Sequence, residues 1–174
     1  MLPVRIGFVG AMGNGKTTAA QYLISKYGFQ HYSFAAKLKE ICRDMWPEQF
    51  LNGNKPRELL QYVGSDMFRK RDPNVWVNYL DRQLQVENPR RAVIDDCRFI
   101  NEAEALKKNG FMLVRVVRGD GKREAIGLNS ETGQHVSETE QEGINADLTI
   151  IAKDIPELYA KLDKLMEMGL NGTE

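Results

Sequence analysis

Cysteine is scarce in this chain: two residues in 174, Cys42 and Cys97. So sparse a pair does not make a disulfide framework, and a reduced, cytoplasmic setting is expected. No Cys/His cluster has zinc-ligand spacing. Charge of neither sign is in excess, since 24 Lys plus Arg balance 24 Asp plus Glu. A general nucleic-acid binder carries a basic surplus, so no stable nucleic-acid binding is expected, and any phosphate ligand has to be met by local basic groups. No apolar run approaches the roughly 20 residues of a membrane span. Residues 1–10 lack the n-region, h-region and cleavage site of a secretory signal. No membrane association is therefore expected. Internal repeats and low-complexity tracts are also missing.

What is present is ordinary for a globular protein: 42% hydrophobic and 28% charged residues. A chain of 174 residues can bury a core without metals or disulfides, and one domain over 1–174 is expected. Strand-like and helix-like apolar segments alternate, which points to an α/β fold. Val4 to Val9 reads as a buried strand ending at Gly10. From Lys16 the pattern becomes helical, with Ala20, Leu23, Ile24 and Tyr27 on one face and Gly28 as the stop. Phe29 to Phe34 reads as a short strand, Ala36 to Trp46 as a helix and Phe50 to Lys55 as a loop. Pro56 suits a first helical turn, followed by an apolar face of Leu59, Leu60, Val63 and Met67. Asp72 and Pro73 start a helix through Trp76, Leu80 and Leu84.

Ala92 to Ile94 is a second buried strand, running into Asp95 and Asp96. Asn101 to Asn109 reads as a helix, Phe111 to Val117 as the strongest strand, and Leu148 to Ala152 as the last one. Asp154 and Glu157 have capping-box spacing for a final helix carrying Leu158, Leu162 and Leu165. Between them, 119–143 is polar and glycine-bearing; a segment that long without apolar periodicity is usually functional or disordered.

The segment Gly10-Ala11-Met12-Gly13-Asn14-Gly15-Lys16-Thr17, with Thr18 after it, matches G-x-x-x-x-G-K-[ST] without a mismatch. Glycines let the backbone curl and turn its N–H groups inward. Those groups and the positive end of the following helix hold polyphosphate oxygens. Lys16 adds a mobile charge for the β- and γ-phosphates, and the Thr17 hydroxyl suits Mg²⁺. Residue frequencies alone place the pattern in about one chain in a hundred of this length. Its position, after a buried strand and opening an amphipathic helix, is the context the motif requires. A nucleoside triphosphate ligand is the expectation. Asn54-Lys55-Pro56-Arg57 lacks the Asp of a guanine-reading motif, and no Asp-x-x-Gly switch occurs, so a switch GTPase is disfavoured. The short chain also argues against a large motor or AAA-type machine with additional lobes.

Together with this loop, Ile94-Asp95-Asp96-Cys97-Arg98-Phe99-Ile100-Asn101-Glu102 resembles the deoxynucleoside monophosphate kinases encoded by tailed bacteriophages, within the nucleoside monophosphate kinase group of P-loop folds. Ser33-Phe34-Ala35-Ala36-Lys37-Leu38-Lys39, the stretch Arg57-Glu58-Leu59-Leu60-Gln61-Tyr62-Val63-Gly64, Asn74-Val75-Trp76-Val77 and His135-Val136-Ser137-Glu138 are similar to family segments in the same order. The resemblance spans nearly the whole chain. It implies a three-layer α/β/α sandwich around a parallel sheet of about five strands with a lid at 119–143. It also implies ATP and Mg²⁺ as cofactors and a nucleoside monophosphate, a deoxynucleotide by preference, as the small-molecule partner.

Phosphoryl transfer between two anions needs little covalent help; it needs positive charge and in-line positioning. Asp95, at the end of a buried strand, is assigned to Mg²⁺ with Thr17, and its other reading is a cap for the next helix. Asp96 and Arg98 lie beside it on the loop, Asp96 on the substrate side; in the family reading Arg98 meets the acceptor's base or phosphate and Glu102 reads base donors, the other reading being a surface Arg–Glu pair at helical spacing. Arg57 is the candidate clamp on the acceptor phosphate, because Arg offers a two-pronged fork; its other reading is a solvated first-turn residue. The family often carries proline near Lys37, so either Lys37 or Lys39 faces substrate. Trp76 is either a stacking wall for the base or a core aromatic. Lys16, Arg57 and Arg98 make the expected catalytic set. Arg118, Lys122 and Arg123 are placed to supply lid charges, Arg118 toward ATP, and His135 to orient a lid contact; the other readings are a solvated basic turn for Lys122 and Arg123 and a structural role for His135. The alternatives are another small-molecule P-loop kinase, such as a dephospho-coenzyme A kinase, and a non-catalytic ATP sensor. Oligomeric state is open, a homodimer among the options.

Overall fold

The computed structural model describes residues 4–119, 140 and 143–171, with side chains described up to 168. The expected lid, including Lys122, Arg123 and His135, lies almost wholly outside the described residues. Two compact units are present, one formed by the first 32 residues with 88–174, the other by 33–87.

The larger unit contains a five-stranded sheet in the order β2-β3-β1-β4-β5, parallel at every pairing. Its strands are β1 (Val4–Val9), β2 (Gln30–Tyr32), β3 (Arg91–Ile94), β4 (Met112–Arg118) and β5 (Leu148–Ala152). Its helices are α1 (Lys16–Tyr27), α5 (Ile100–Lys108) and α6 (Ile155–Asn171). A central parallel strand is buried on both faces, and β1, β3 and β4 are accordingly nearly continuous apolar runs. One face of the sheet, carrying Ile6, Phe8, Val93, Val114, Val116 and Ile150, is covered by Ala19, Ala20 and Leu23 of α1 and Leu158, Leu162 and Met166 of α6. On the other face Gly7 admits α5: a Cβ at that position would lie 2.8 Å from Leu106 Cδ1 and 2.9 Å from Leu113 Cδ2. These are the three layers of an α/β/α sandwich, as the sequence leads one to expect.

A carboxylate joins the two helices on the first face. Asp163 on α6 accepts hydrogen bonds from Tyr22 Oη (2.7 Å), Tyr27 Oη (2.7 Å) and Lys26 Nζ (2.8 Å) of α1. Tyr159 stacks on Tyr22 with ring centroids 3.9 Å apart. The three donors, Lys26 foremost, hold the Asp163 carboxyl at about 2, below the usual range, and the same contacts raise Lys26.

The unit 33–87 is helical: α2 (Ala36–Met45), a 3₁₀ segment over Pro47–Gly53, α3 (Arg57–Gln61) and α4 (Val75–Glu87). The 3₁₀ segment falls largely where a loop is expected, and Asn52 at φ 55 breaks it. The helix expected after Pro56 is present, but over Tyr62–Arg69 it widens to π geometry, which apolar spacing does not reveal. There the Gly64 carbonyl accepts the Trp76 indole N–H at 3.1 Å. The missing side chain at Gly64 makes room for Leu38, whose Cδ2 would lie 2.6 Å from a Cβ.

Candidate active site

In a parallel sheet, ligands bind beyond the carboxyl ends of the strands, at the point where chain connections diverge to opposite sides. Here β1 lies between β3 and β4, and the loop leaving it is the glycine-rich segment. Gly10 stands at φ 131, and a Cβ on it would sit 2.6 Å from the Val116 backbone oxygen. Backbone cannot yield as a side-chain tip can, so only glycine fits. Gly13 (φ 81) and Gly15 (φ 93) also have left-handed backbone, and Gly15 caps the start of α1. Asn14 is buried and its N–H reaches the Ala11 carbonyl at 3.3 Å, closing the turn; Ala11 is half-buried and Met12 exposed.

Lys16 Nζ donates to the carbonyls of Gly10 (2.5 Å) and Ala11 (3.1 Å), so its ammonium lies against the loop itself. Thr17 Oγ1 donates to Asp95 Oδ2 at 2.6 Å. Thr18 follows, half-buried, in the first turn of α1. Asp95 is the residue after β3, next to β1 in the sheet, which explains how positions 78 apart in sequence meet. A hydroxyl and a carboxylate, both hard oxygen donors, thus stand side by side at the opening of α1. A Thr hydroxyl that donates its proton to the carboxylate keeps lone pairs for a cation. The pair fits Mg²⁺ and would suit a soft metal poorly. Among the described residues, no three of His, Cys, Asp and Glu gather as a metal cluster.

One neighbour of Asp95 is not legible in the sequence. His31 Nε2 lies 2.8 Å from Asp95 Oδ1, so the carboxylate is held at both oxygens. His31 belongs to a three-residue strand, too short to show periodicity. The usable signal is positional: the residue is one short of the carboxyl end of β2, beside β3.

Beyond Asp95 the chain turns into α5. Asp96 and Arg98 are half-buried, and the Cys97 side chain points into the core, where burial pushes its thiol well up. Such a thiol is inert. Glu102 is 1% exposed. Its Oε2 accepts the backbone N–H of Arg98 at 2.8 Å and of Phe99 at 3.1 Å. Where a base-reading contact is expected, the structure shows a main-chain one: through Oε2 this carboxylate caps α5 and holds the loop that carries Arg98. Arg118 ends β4, half-buried, at the carboxyl edge of the sheet where the glycine-rich loop also starts.

Four further residues named as site candidates lie in the unit 33–87. Arg57 is exposed at the first position of α3. Lys37 pairs with Glu40 at 2.6 Å on α2, a contact that raises its pKa, while Lys39, two residues on and so on nearly the opposite side of the helix, is half-buried. Of the two readings of Trp76 the structure gives the core one: it is 4% exposed, its N–H is bonded to Gly64, and its ring lies 5.2 Å from that of Phe68.

Known proteins resemble this chain in sequence and in fold. A family model described as an AAA domain matches residues 6–143. A protein of Acanthamoeba polyphaga mimivirus, provisionally named a deoxynucleotide monophosphate kinase, is 33% identical over 91% of this chain and 94% of its own length. The deoxynucleoside-5'-monophosphate kinase of Escherichia phage T5 is 29% identical over 56% of this chain and 46% of its own length, so the match spans under half of that protein. Among solved structures, the shikimate kinase of Acinetobacter baumannii superimposes with a TM-score of 0.61 at 19% identity, covering 100% of this chain and 97% of that one; at that identity the likeness concerns fold alone. The chain belongs to this AAA-domain family of P-loop proteins and, within it, groups with the viral deoxynucleotide monophosphate kinases.

Proposed function

We propose that the protein transfers the terminal phosphoryl group of ATP to a deoxynucleoside monophosphate, giving ADP and the deoxynucleoside diphosphate. The observation that carries this reading is the Lys16–Thr17–Asp95 arrangement at the end of β1 and β3, in a chain of that family. The backbone N–H groups of 10–18 would hold the donor phosphates, the positive end of α1 adding to them. Lys16 exchanges its bonds to the Gly10 and Ala11 carbonyls for phosphate oxygens. Thr17 and Asp95 would hold Mg²⁺, which when bound neutralises charge on the transferred group. Arg118 is assigned to the ATP side.

The acceptor phosphate is already an anion, so no strong general base is required. Arg98, on a loop held by Glu102, and Arg57, with Lys37 or Lys39, are proposed to meet that phosphate. Two-pronged guanidinium contacts fix its orientation as well as its charge. Asp96 is assigned to the acceptor nucleotide. Segment 119–143 is proposed as a lid that excludes water and so suppresses hydrolysis of ATP. All 174 residues would then serve one catalytic domain, working in the cytoplasm, that of the host for a virus-encoded chain.

A coupled ADP-release assay with Mg-ATP and each common deoxynucleoside and ribonucleoside monophosphate tests this, with dephospho-coenzyme A as a control acceptor. Turnover with one or more deoxynucleotides is expected. Turnover with dephospho-coenzyme A alone would reassign the acceptor, and ATP binding without turnover on any acceptor would make the protein a nucleotide sensor.

A further inference from the structure

We propose that His31 is a positioning residue that holds the Asp95 carboxylate where the Thr17–Asp95 pair can receive the divalent cation of a metal–nucleotide complex. The inference rests on the nucleotide-binding reading above, and it adds a residue that neither the glycine-rich motif nor the family resemblance contains.

An aspartate side chain has two rotatable bonds, and a carboxylate held at one oxygen still swings about that oxygen. Asp95 is fixed at both. Thr17 Oγ1 donates to Oδ2 at 2.6 Å and His31 Nε2 donates to Oδ1 at 2.8 Å. The two donors come from different elements, the start of α1 and the end of β2. Their lines of approach therefore bracket the carboxyl group. Strand pairing sets the span: His31 is in register with Val93, two residues before Asp95 on the adjacent strand. The Asp95 side chain is 11% exposed and that of His31 45%. His31 thus reaches inward from solvent to orient a mostly buried ligand, and its removal opens no core cavity. A partner of this kind, orienting a metal ligand through its second oxygen, typically governs about 10–100-fold in metal affinity or activity.

The test reads binding. Mn²⁺ is titrated onto the protein saturated with a non-hydrolysable ATP analogue, and bound Mn²⁺ is followed by electron paramagnetic resonance. His31→Ala should weaken Mn²⁺ by about 10-fold or more, with unchanged analogue affinity in EDTA and an unchanged thermal melt. His31→Gln places an amide N–H the same number of bonds from the backbone and should recover most of the loss. In an Asp95→Asn background His31→Ala should cost nothing further. Wild-type binding matched by His31→Ala, equal losses in the Ala and Gln variants, or additive losses with Asp95→Asn would each overturn the positioning role while leaving the nucleotide site standing. A wild-type protein that binds no analogue would overturn the site itself.

Discussion

Glu102 separates a structural account of the loop after β3 from a substrate-reading one, and its removal has a calculable cost. The side chain is 1% exposed, and its Oε2 accepts two backbone N–H groups, from Arg98 and Phe99. Replacement by alanine leaves both donors without that acceptor in a partly buried setting. Each such loss costs about 1–3 kcal/mol, with more for a charged partner. Water entering the vacated space recovers part of it, so a net loss of about 2–4 kcal/mol is expected. For a chain of this length each kcal/mol lowers Tm by about 2–4 °C, which puts the fall at roughly 5–15 °C. Glu102→Gln keeps an acceptor oxygen and should lose about half as much. Thermal denaturation followed by circular dichroism measures the shift, and the monophosphate panel run on the same variants measures base preference. The expected outcome is a large Tm loss, reduced turnover with every acceptor and an unchanged order of preference. An unchanged Tm together with an altered base order would refute the reasoning and restore Glu102 as a base reader.

Other perturbations follow from the same geometry. Gly10→Ala places a methyl group 2.6 Å from the Val116 carbonyl at φ 131, so ATP affinity measured by calorimetry should fall by about 100-fold or more, equivalent to about 3 kcal/mol of strain and displaced loop; near-normal affinity would mean the loop is not held against β4. The Asp163 carboxyl is stabilised in its charged form, at about 2 against an ordinary 3.8, so its contribution is complete above about pH 4 and disappears as pH falls through about 2. After screening it is worth on the order of 1 kcal/mol, and Asp163→Asn should lower Tm by about 2–4 °C at pH 7, with the gap closing at pH 2; a gap that persists there would assign the loss to packing. Arg57→Ala should raise the Michaelis constant for the acceptor monophosphate about 10-fold or more and that for ATP little; the reverse pattern would place Arg57 on the donor side.

Much of the fold was legible because its signals are local. The β1 run, the glycine motif and the helical spacing after Lys16 together indicate a phosphate-binding start, and the structure sets each within a residue of its expected bounds. Asp95 stands out as a candidate because a carboxylate directly after a buried strand is placed either for a metal or for capping the next helix. What escaped depends on contacts between distant segments. His31 acquires meaning only when β2 pairs with β3. Glu102 and Arg98 show helical spacing as residues, and nothing in that spacing says that the carboxylate meets the Arg98 backbone rather than a ligand. Trp76 reads equally as wall or core until the Gly64 carbonyl appears opposite its N–H. The π widening at Tyr62–Arg69 leaves no trace in apolar periodicity.

The central claim is that Lys16 and its loop direct the terminal phosphoryl group of ATP onto a nucleoside monophosphate. Incubation with γ-³²P-labelled ATP, Mg²⁺ and each deoxynucleoside monophosphate, followed by chromatographic separation of products, tests it directly in wild type and Lys16→Ala. The label should appear in a deoxynucleoside diphosphate with wild type, and Lys16→Ala, with an unchanged circular dichroism spectrum, should transfer at least about 100-fold less. Label found only in inorganic phosphate, or equal transfer by the variant, would contradict the account.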